Sequence, residues 1–226
     1  MDFLPTKGVE YLLVLGYLAL LVPFWWFFFG QASSRVPASA RVARRLAPSP
    51  AEMFRVPEGV MFHAGHAWAR PEEAGVMTVG LDDFAQQLMG PVAAIDLPHP
   101  GAAIWAGAPA WALRADGRSV DMLAPVTGTV VAVNGDLARQ AGLVNEDPYG
   151  RGWLLKVQVP KVAELGHLFS GAAARKWIAA VSDELTATMS PQLGTVLQDG
   201  GVPVHGIARS LDEAHWDDVA RKFLRT

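Results

Sequence analysis

The chain contains no cysteine, which excludes disulfide bonds, thiolate metal ligands and a cysteine nucleophile. Charged residues are sparse at 18%, and the formal net charge of −3 offers no basis for general affinity to nucleic acid. Phosphate-binding glycine loops and the G-x-S-x-G motif of hydrolases are also missing. His63 and His66 are close, but no third ligand is evident in the sequence, so we expect no metal site. We therefore expect neither catalytic residues nor an enzyme.

Residues 11–29 contain no charged side chain, after a short mixed N-terminal segment of residues 1–10. As a helix rising 1.5 Å per residue, this run would span roughly 28 Å, enough to cross the hydrocarbon core of a bilayer. The sequence predicts a transmembrane helix here, and the residues that mark it are Tyr11, Leu18, Trp25, Trp26 and Phe29. A cleaved signal peptide is the competing interpretation.

Residues 30–55 are rich in arginine, proline and serine and read as a linker. Arg35, Arg41, Arg44 and Arg45 lie within it, and residues 30–50 contain no acidic residue. Because positive charge is enriched on the cytoplasmic side of membrane helices, this bias predicts a bacterial inner-membrane protein with a single span and a cytoplasmic C-terminal domain.

Residues 56–160 contain many short runs of branched and apolar residues separated by turn signals, a pattern typical of a compact β-sandwich or barrel. The stretch 82–89 reads as one short helix, whose N-terminus Asp82 and Asp83 would stabilise. Asp116-Gly117 is a strong signal for a two-residue hairpin turn. Most of the tryptophans in the domain are core candidates.

Residues 161–226 form a C-terminal extension in which residues 172–187 predict a helix. Residues 210–213, Ser-Leu-Asp-Glu, predict a capping box before a last helix, with Leu211, His215, Val219 and Phe223 along one side. This extension is either a docking surface for a partner or a layer that packs on its own β domain.

The stretch 143–154, LVNEDPYGRGWL, resembles the VNEDPYGxGWL signature of the glycine-cleavage H protein family. Further segments resemble that family in the same order: residues 66–70, 79–86, 90–98 and 124–130. The resemblance covers about residues 60–160. The positions that carry it are His66, Trp68, Asp121, Pro125, Gly128, Asn145, Glu146, Asp147, Pro148, Tyr149, Gly150 and Trp153.

The resemblance implies a lipoyl-domain type of β-sandwich whose lipoic acid is carried on a lysine at a hairpin tip. That lysine would stand eight positions before Pro125, where this chain has Gly117. Arg118 cannot replace it, because a guanidinium stays protonated and is a poor acyl acceptor. No lysine lies between Leu97 and Lys156. We therefore predict no lipoylation and no cofactor.

The sequence as a whole predicts a mainly β, lipoyl-domain-like sandwich of the H-protein type with short helices, preceded by one transmembrane helix and followed by a helical extension. The function we predict is a non-lipoylated, membrane-anchored accessory or scaffold subunit of a bacterial membrane complex, such as a respiratory one. Its partners would be other protein subunits and membrane lipid, but not nucleic acid. The alternatives are an adaptor or regulator that binds lipoyl-system enzymes, and a lipoyl carrier of glycine cleavage tethered to the membrane.

Overall fold

The structure is a computed structural model that describes residues 16–17, 53–160, 162–189 and 205–225. The described part of residues 53–225 is mainly β, with few helices, as the sequence predicts. Its strands are β1 (Met61–Phe62), β2 (Ala67–Pro71), β3 (Val76–Leu81), β4 (Ala94–Asp96), β5 (Ala103–Ile104), β6 (Pro109–Ala115), β7 (Arg118–Leu123), β8 (Gly128–Val133), β9 (Leu155–Gln158) and β10 (Phe169–Ser170). Its α-helices are α1 (Asp83–Met89), α2 (Leu143–Glu146), α3 (Gly171–Met189), α4 (Ile207–Leu211) and α5 (Trp216–Leu224).

Two antiparallel sheets are built from these strands. The larger sheet has seven strands in the order β10-β1-β2-β3-β9-β8-β5, and the smaller sheet has the order β4-β6-β7. Along β6 and β7, buried and more exposed side chains alternate, so that Trp111, Leu113, Val120 and Met122 face inward. This period of two is the pattern of a sheet with one face on the core.

The main hydrophobic core joins both sheets to the helices. Leu81, Phe84, Leu113, Met122 and Leu155 are fully buried members of it. A smaller cluster forms around Phe62 and Trp68, which are also buried.

Helix α1 begins one residue later than the sequence predicts, and its N-terminus is stabilised as expected. The Asp82 carboxylate accepts a hydrogen bond from the Ala85 backbone N–H at 2.7 Å, which is the geometry of a helix N-cap. Gly90 ends the helix with a φ of 74°, a conformation that favours glycine. The predicted short helix is therefore confirmed.

The C-terminal helices pack on the β domain. Helix α3 covers residues 171–189, which confirms the helix predicted at 172–187. Trp216, Ala220, Phe223 and Leu224 of α5 are buried in the main core. Of the two roles left open for the extension, packing on its own domain is the one observed here.

The predicted capping box at residues 210–213 is wrong. Ser210 lies inside α4, where its hydroxyl is 3.5 Å from the Gly206 carbonyl oxygen. Asp212 instead accepts hydrogen bonds from the backbone N–H groups of Ala214 and His215 in the loop before α5. The predicted stripe fails for the same reason, because Leu211 belongs to a different helix from Val219 and Phe223.

The predicted transmembrane helix lies outside the described residues, apart from residues 16 and 17, which are helical. The marker residues Tyr11, Leu18, Trp25, Trp26 and Phe29 and almost all of the linker at 30–55 are likewise outside them. Among the helices that the structure describes, none has the length and apolar character needed to cross a membrane.

Candidate functional site

The β6–β7 hairpin contains Gly117, the position at which the H-protein resemblance implies a modified lysine and the sequence has none. Ala115 pairs with Arg118, so Asp116 and Gly117 form the two-residue turn between the strands. Both have positive φ values, 47° and 74°. A tight turn with positive φ at both central residues matches the twist of antiparallel strands, which is why Asp-Gly predicts it. The predicted hairpin turn is confirmed.

Residues on both sides of Gly117 are bound by the C-terminal helices. A carboxylate oxygen of Asp116 lies 2.5 Å from Nη1 of Arg209 in α4. On the other side, Arg118 pairs with the Asp217 carboxylate of α5 and donates to the Ala214 carbonyl oxygen at 2.5 Å. The hairpin tip is thus attached at two points to chain about a hundred residues away in sequence.

Asp217 is the central acid of these contacts. It also accepts a hydrogen bond from Arg221, which in turn donates to the Ser119 carbonyl oxygen of β7 at 3.2 Å. Partial burial alone would raise the pKa of Asp217, but the hydrogen bond and charge of Arg118, with the charge of Arg221, hold that pKa below its usual value. Asp217 therefore stays charged into mildly acidic conditions.

Asn145 joins three parts of the chain through its side-chain amide. Its Nδ2 donates to the carbonyl oxygens of Gln86 and Gly90, at 3.2 and 2.9 Å. Its Oδ1 accepts from the Val92 backbone N–H at 3.2 Å. The amide therefore binds the backbone where α1 ends and the chain turns towards β4.

Trp68 and Tyr149 connect two of the stretches that resemble the H-protein family, residues 66–70 and 143–154. Indole Nε1 of Trp68 donates to the Pro148 carbonyl oxygen at 3.1 Å, and Arg70 donates to the Tyr149 carbonyl oxygen at 3.0 Å. The Tyr149 hydroxyl accepts from the Asp83 backbone N–H and donates to the Arg55 carbonyl oxygen. Burial and the nearby carboxylates raise the pKa of the tyrosine hydroxyl far above its usual value, so it remains a neutral donor.

His66 is a buried structural residue. Its Nδ1 lies 2.8 Å from a carboxylate oxygen of Asp82, and both side chains are almost fully buried. Its ring stacks on Phe84 with centroids 4.2 Å apart. Because Asp82 also caps α1, His66 positions the start of that helix.

Comparison with known proteins places these features in one family. The family model for the glycine cleavage H-protein matches residues 60–181. This chain belongs to the glycine cleavage H-protein family. The match runs past residue 160 into α3, so the first half of that helix is part of the H-protein domain.

Curated relatives and a solved structure each match about half of this chain. A glycine cleavage system H protein from Marinobacter nauticus is 37% identical over 128 residues, which are 57% of this chain and 98% of the relative. One from Mycobacterium avium is 42% identical over 113 residues, which are 50% of this chain and 86% of the relative. The crystal structure of a glycine cleavage system H protein from Mycobacterium marinum is 28% identical and covers 53% of this chain and 95% of its own, with a TM-score of 0.47.

Asp147, Gly150 and Gly128 of the motif positions serve the fold as well. Asp147 accepts from the Arg151 backbone N–H, and a side chain at Gly150 would collide with that aspartate. Gly128 opens β8 so close to β9 that a Cβ there would overlap the Gln158 backbone. Other motif residues make single contacts or lie open: Pro125 accepts from His167, Glu146 accepts from Gln140, Trp153 is half-buried beside Lys156, and Asp121 is exposed on β7.

His63 precedes His66 by three residues and makes different contacts. Its Nδ1 accepts a hydrogen bond from the Gly65 backbone N–H at 3.0 Å, and its ring meets that of His167 edge-on. Burial, followed by the positive charges of His167, His66 and Arg225, lowers the pKa of His63 to about 4. In the part of the chain that the structure describes, no three His, Cys, Asp or Glu side chains are grouped as metal ligands would be.

Lys156 lies on β9, away from the hairpin. Its ammonium group is 2.8 Å from a carboxylate oxygen of Glu72. Hydrogen bonds to Glu72, from Lys156 first and then from Thr78, lower the pKa of that carboxyl group. Lys156 therefore forms a charge pair across the sheet surface.

The hairpin tip was predictable from the sequence, but the residues that hold it were not. Arg209, Asp217 and Arg221 lie on short helices with no motif, and their contacts to residues 116–119 cross about a hundred positions. The only sequence signal was the acidic pair at 217–218 followed four positions later by the basic pair at 221–222, which is also typical of an exposed helix.

Proposed function

We propose that this protein is a non-lipoylated, membrane-anchored H-protein-like subunit that scaffolds a bacterial membrane complex, such as a respiratory one, and is not itself an enzyme. The observation that carries the proposal is the composition of the β6–β7 hairpin tip. Its residues 116–118 read Asp-Gly-Arg, and no lysine lies anywhere on the hairpin.

The chemistry of attachment supports this role. Lipoic acid is carried as an amide, which requires a neutral amine that can attack an activated acyl group. The Arg118 guanidinium cannot supply it, and it is already engaged by Asp217 and the Ala214 carbonyl oxygen. Lys156 lies on β9, outside the hairpin, and its ammonium group is paired with the Glu72 carboxylate.

The membrane part of the proposal rests on sequence. Residues 11–29 are uncharged and apolar, and arginines follow at residues 35, 41, 44 and 45. We propose that this span holds the H-protein domain at the cytoplasmic face of the inner membrane. Its partners there would be other subunits of the complex and the lipid around the span.

Extraction of native membranes in mild detergent tests the proposal. The chain is purified through a C-terminal tag, and its intact mass and the co-purifying proteins are determined by mass spectrometry after co-expression with a lipoate ligase. We expect an unmodified mass and stoichiometric membrane subunits. A chain heavier by one lipoyl group, found with glycine-cleavage enzymes, would restore the carrier role and contradict the proposal.

A second candidate function is an adaptor or regulator that occupies the H-protein position on lipoyl-system enzymes. The observation in its favour is that the contacts of Trp68, Asn145 and Tyr149 keep the motif regions of the domain assembled. Pull-down of glycine-cleavage or lipoate-attaching enzymes by the purified chain would favour this role over the scaffold. Recovery of membrane subunits without those enzymes would rule out the adaptor role.

A further inference from the structure

We propose, building on the non-carrier role above, that α4 and α5 form a clamp that fastens the β6–β7 hairpin tip to the domain and denies it to enzymes acting from outside. "The clamp" means residues 205–225, and "the tip" means residues 115–119. This is an internal blocking contact, separate from the absence of the lysine.

The clamp contacts the tip on both sides of Gly117. Arg209 of α4 binds Asp116, and Asp217 of α5 binds Arg118, so the two residues that flank Gly117 are each tied to a different helix. Arg221 adds a hydrogen bond to the backbone carbonyl of Ser119. Ties on opposite sides of a two-residue turn oppose its displacement in either direction.

Arg209 is held for this role by its surroundings. Its guanidinium lies over the Trp216 ring at 5.3 Å from the centroid, a cation–π contact that orients it. Its Nη2 lies 3.5 Å from the Met89 carbonyl oxygen at the end of α1. The side chain thus joins α1, α5 and the tip.

The clamp is fixed to the domain by apolar contacts that salt does not screen. Trp216, Phe223 and Leu224 are buried in the same core cluster as Val120 and Met122 of β7. At the start of α4, the Gly206 N–H donates to the Gln87 carbonyl oxygen, and Gly206 lies so close to Gly90 that a Cβ on Gly90 would be 2.7 Å from the Gly206 Cα. The two helices therefore stay packed on the domain when salt screens the charged contacts. Those charged contacts determine how tightly the tip is held.

A side chain at Gly117 would itself have room. No atom lies within 4 Å of a Cβ built there, although its φ of 74° strains any other residue. A lysine can therefore be placed at the tip as a probe. What the clamp controls is whether the turn can move into the active site of a modifying enzyme.

Hydrogen exchange of the full chain in mild detergent tests the mechanical part. The variant Arg209→Ser/Asp217→Ser removes both ties without altering the hairpin. We expect amides of the tip to exchange about tenfold faster in it than in wild type, since each exposed charge pair contributes modestly. The matched control Arg139→Ser/Asp183→Ser removes one arginine and one aspartate elsewhere and should exchange as wild type does. Equal tip exchange in all three proteins overturns the clamp.

Lipoylation of an introduced lysine tests the blocking part. Gly117→Lys is prepared alone, with Arg209→Ser/Asp217→Ser, and with Arg139→Ser/Asp183→Ser, and each is incubated with lipoate, ATP and a lipoate ligase. We expect the released protein to gain the lipoyl mass at least about tenfold faster than the other two. Equal rates in all three, or no modification of the released protein, overturn the blocking role.

The two proposals fail separately. Lipoyl mass on the wild-type chain contradicts the proposed function, whereas the clamp is judged only by the Gly117→Lys proteins and by hydrogen exchange. Gly117→Ala serves as the folding control for the strained position. If Gly117→Lys does not fold, hydrogen exchange of the proteins that retain Gly117 still decides the clamp.

Discussion

Two polar regions of this domain hold distant parts of the chain together by different means. In the motif segment, residues 145–149, neutral groups bind backbone atoms: the Asn145 amide binds Gln86, Gly90 and Val92. At the hairpin tip, charged side chains bind one another at least partly in solvent, as in the Asp116–Arg209 pair, whose side chains are 58% and 26% exposed. The first region holds the fold together and the second restrains one turn.

The physical difference lies in what replaces a lost contact. When the partner of a sheltered backbone N–H or C=O is removed, water reaches it poorly, and leaving it unsatisfied costs about 1–3 kcal/mol. When an exposed ion pair is broken, water and salt solvate both charges, and the loss is about 0–1 kcal/mol. The motif segment should therefore determine stability, and the tip should determine local motion.

The largest effect is expected from Asn145→Ala. It leaves the Gly90 carbonyl and the Val92 N–H without their partner and takes one of two donors from the Gln86 carbonyl, which keeps the Gly90 N–H; we expect a loss of about 3 kcal/mol in the free energy of unfolding. Denaturant unfolding followed by tryptophan fluorescence measures it. Asn145→Asp is the matched control, because it keeps the acceptor for Val92 but loses both donated bonds. A loss of stability smaller than that caused by Arg209→Ser would show that the motif segment contributes less to stability than the tip.

Acid should give the next largest effect, through His63, which lies in neither region. His63 has a pKa of about 4 in the folded protein against 6.5 as its reference value. The unfolded chain therefore takes up a proton first, and stability falls as the pH drops from about 6.5 towards 4, with no such loss above 6.5. With about 1.4 kcal/mol for each pKa unit and a reduction for partial solvent contact, we expect a loss of about 2 kcal/mol at pH 4.

His63→Gln is the control for the acid prediction, because a glutamine can still accept from the Gly65 N–H but cannot be protonated. Its unfolding free energy should fall less between pH 6.5 and 4 than that of wild type. The Asp217 contact at the tip should persist over this range, because partial burial does not outweigh Arg118 and the pKa stays low. Identical pH profiles for wild type and His63→Gln would show that protonation of His63 does not cause the loss of stability in acid.

The smallest effect on global stability is expected from Arg209→Ser. It removes a partly exposed ion pair together with the contact to the Trp216 ring, for which we expect a loss of about 1 kcal/mol. In 1 M salt the Debye length is about 3 Å, so the ion-pair part of the difference between wild type and variant should shrink. Thermal unfolding at low and high salt measures this. A loss that is large and independent of salt would place Arg209 with the motif segment and not with the tip.

Much of the fold was predictable because its signals are local. Short runs of branched and apolar residues between turn signals predicted the strands, Asp82 predicted the start of α1, and Asp116-Gly117 predicted the hairpin turn. The capping box failed because α4 runs through Ser210 to Leu211, and no local pattern indicated that short helix; Asp212 alone binds backbone N–H groups before α5. The tryptophans show the same limit: most were expected in the core, yet Trp105 is 61% exposed.

By itself the sequence determined the family, the position of the turn and the absence of a lysine there, since each depends on residues next to one another in the chain. The tertiary structure alone decided what surrounds that turn. Arg209 and Asp217 reach Asp116 and Arg118 only because the apolar faces of α4 and α5 are buried against the β domain. Burial of apolar surface has no direction of its own, so no local pattern could have indicated which charged residues it would bring together.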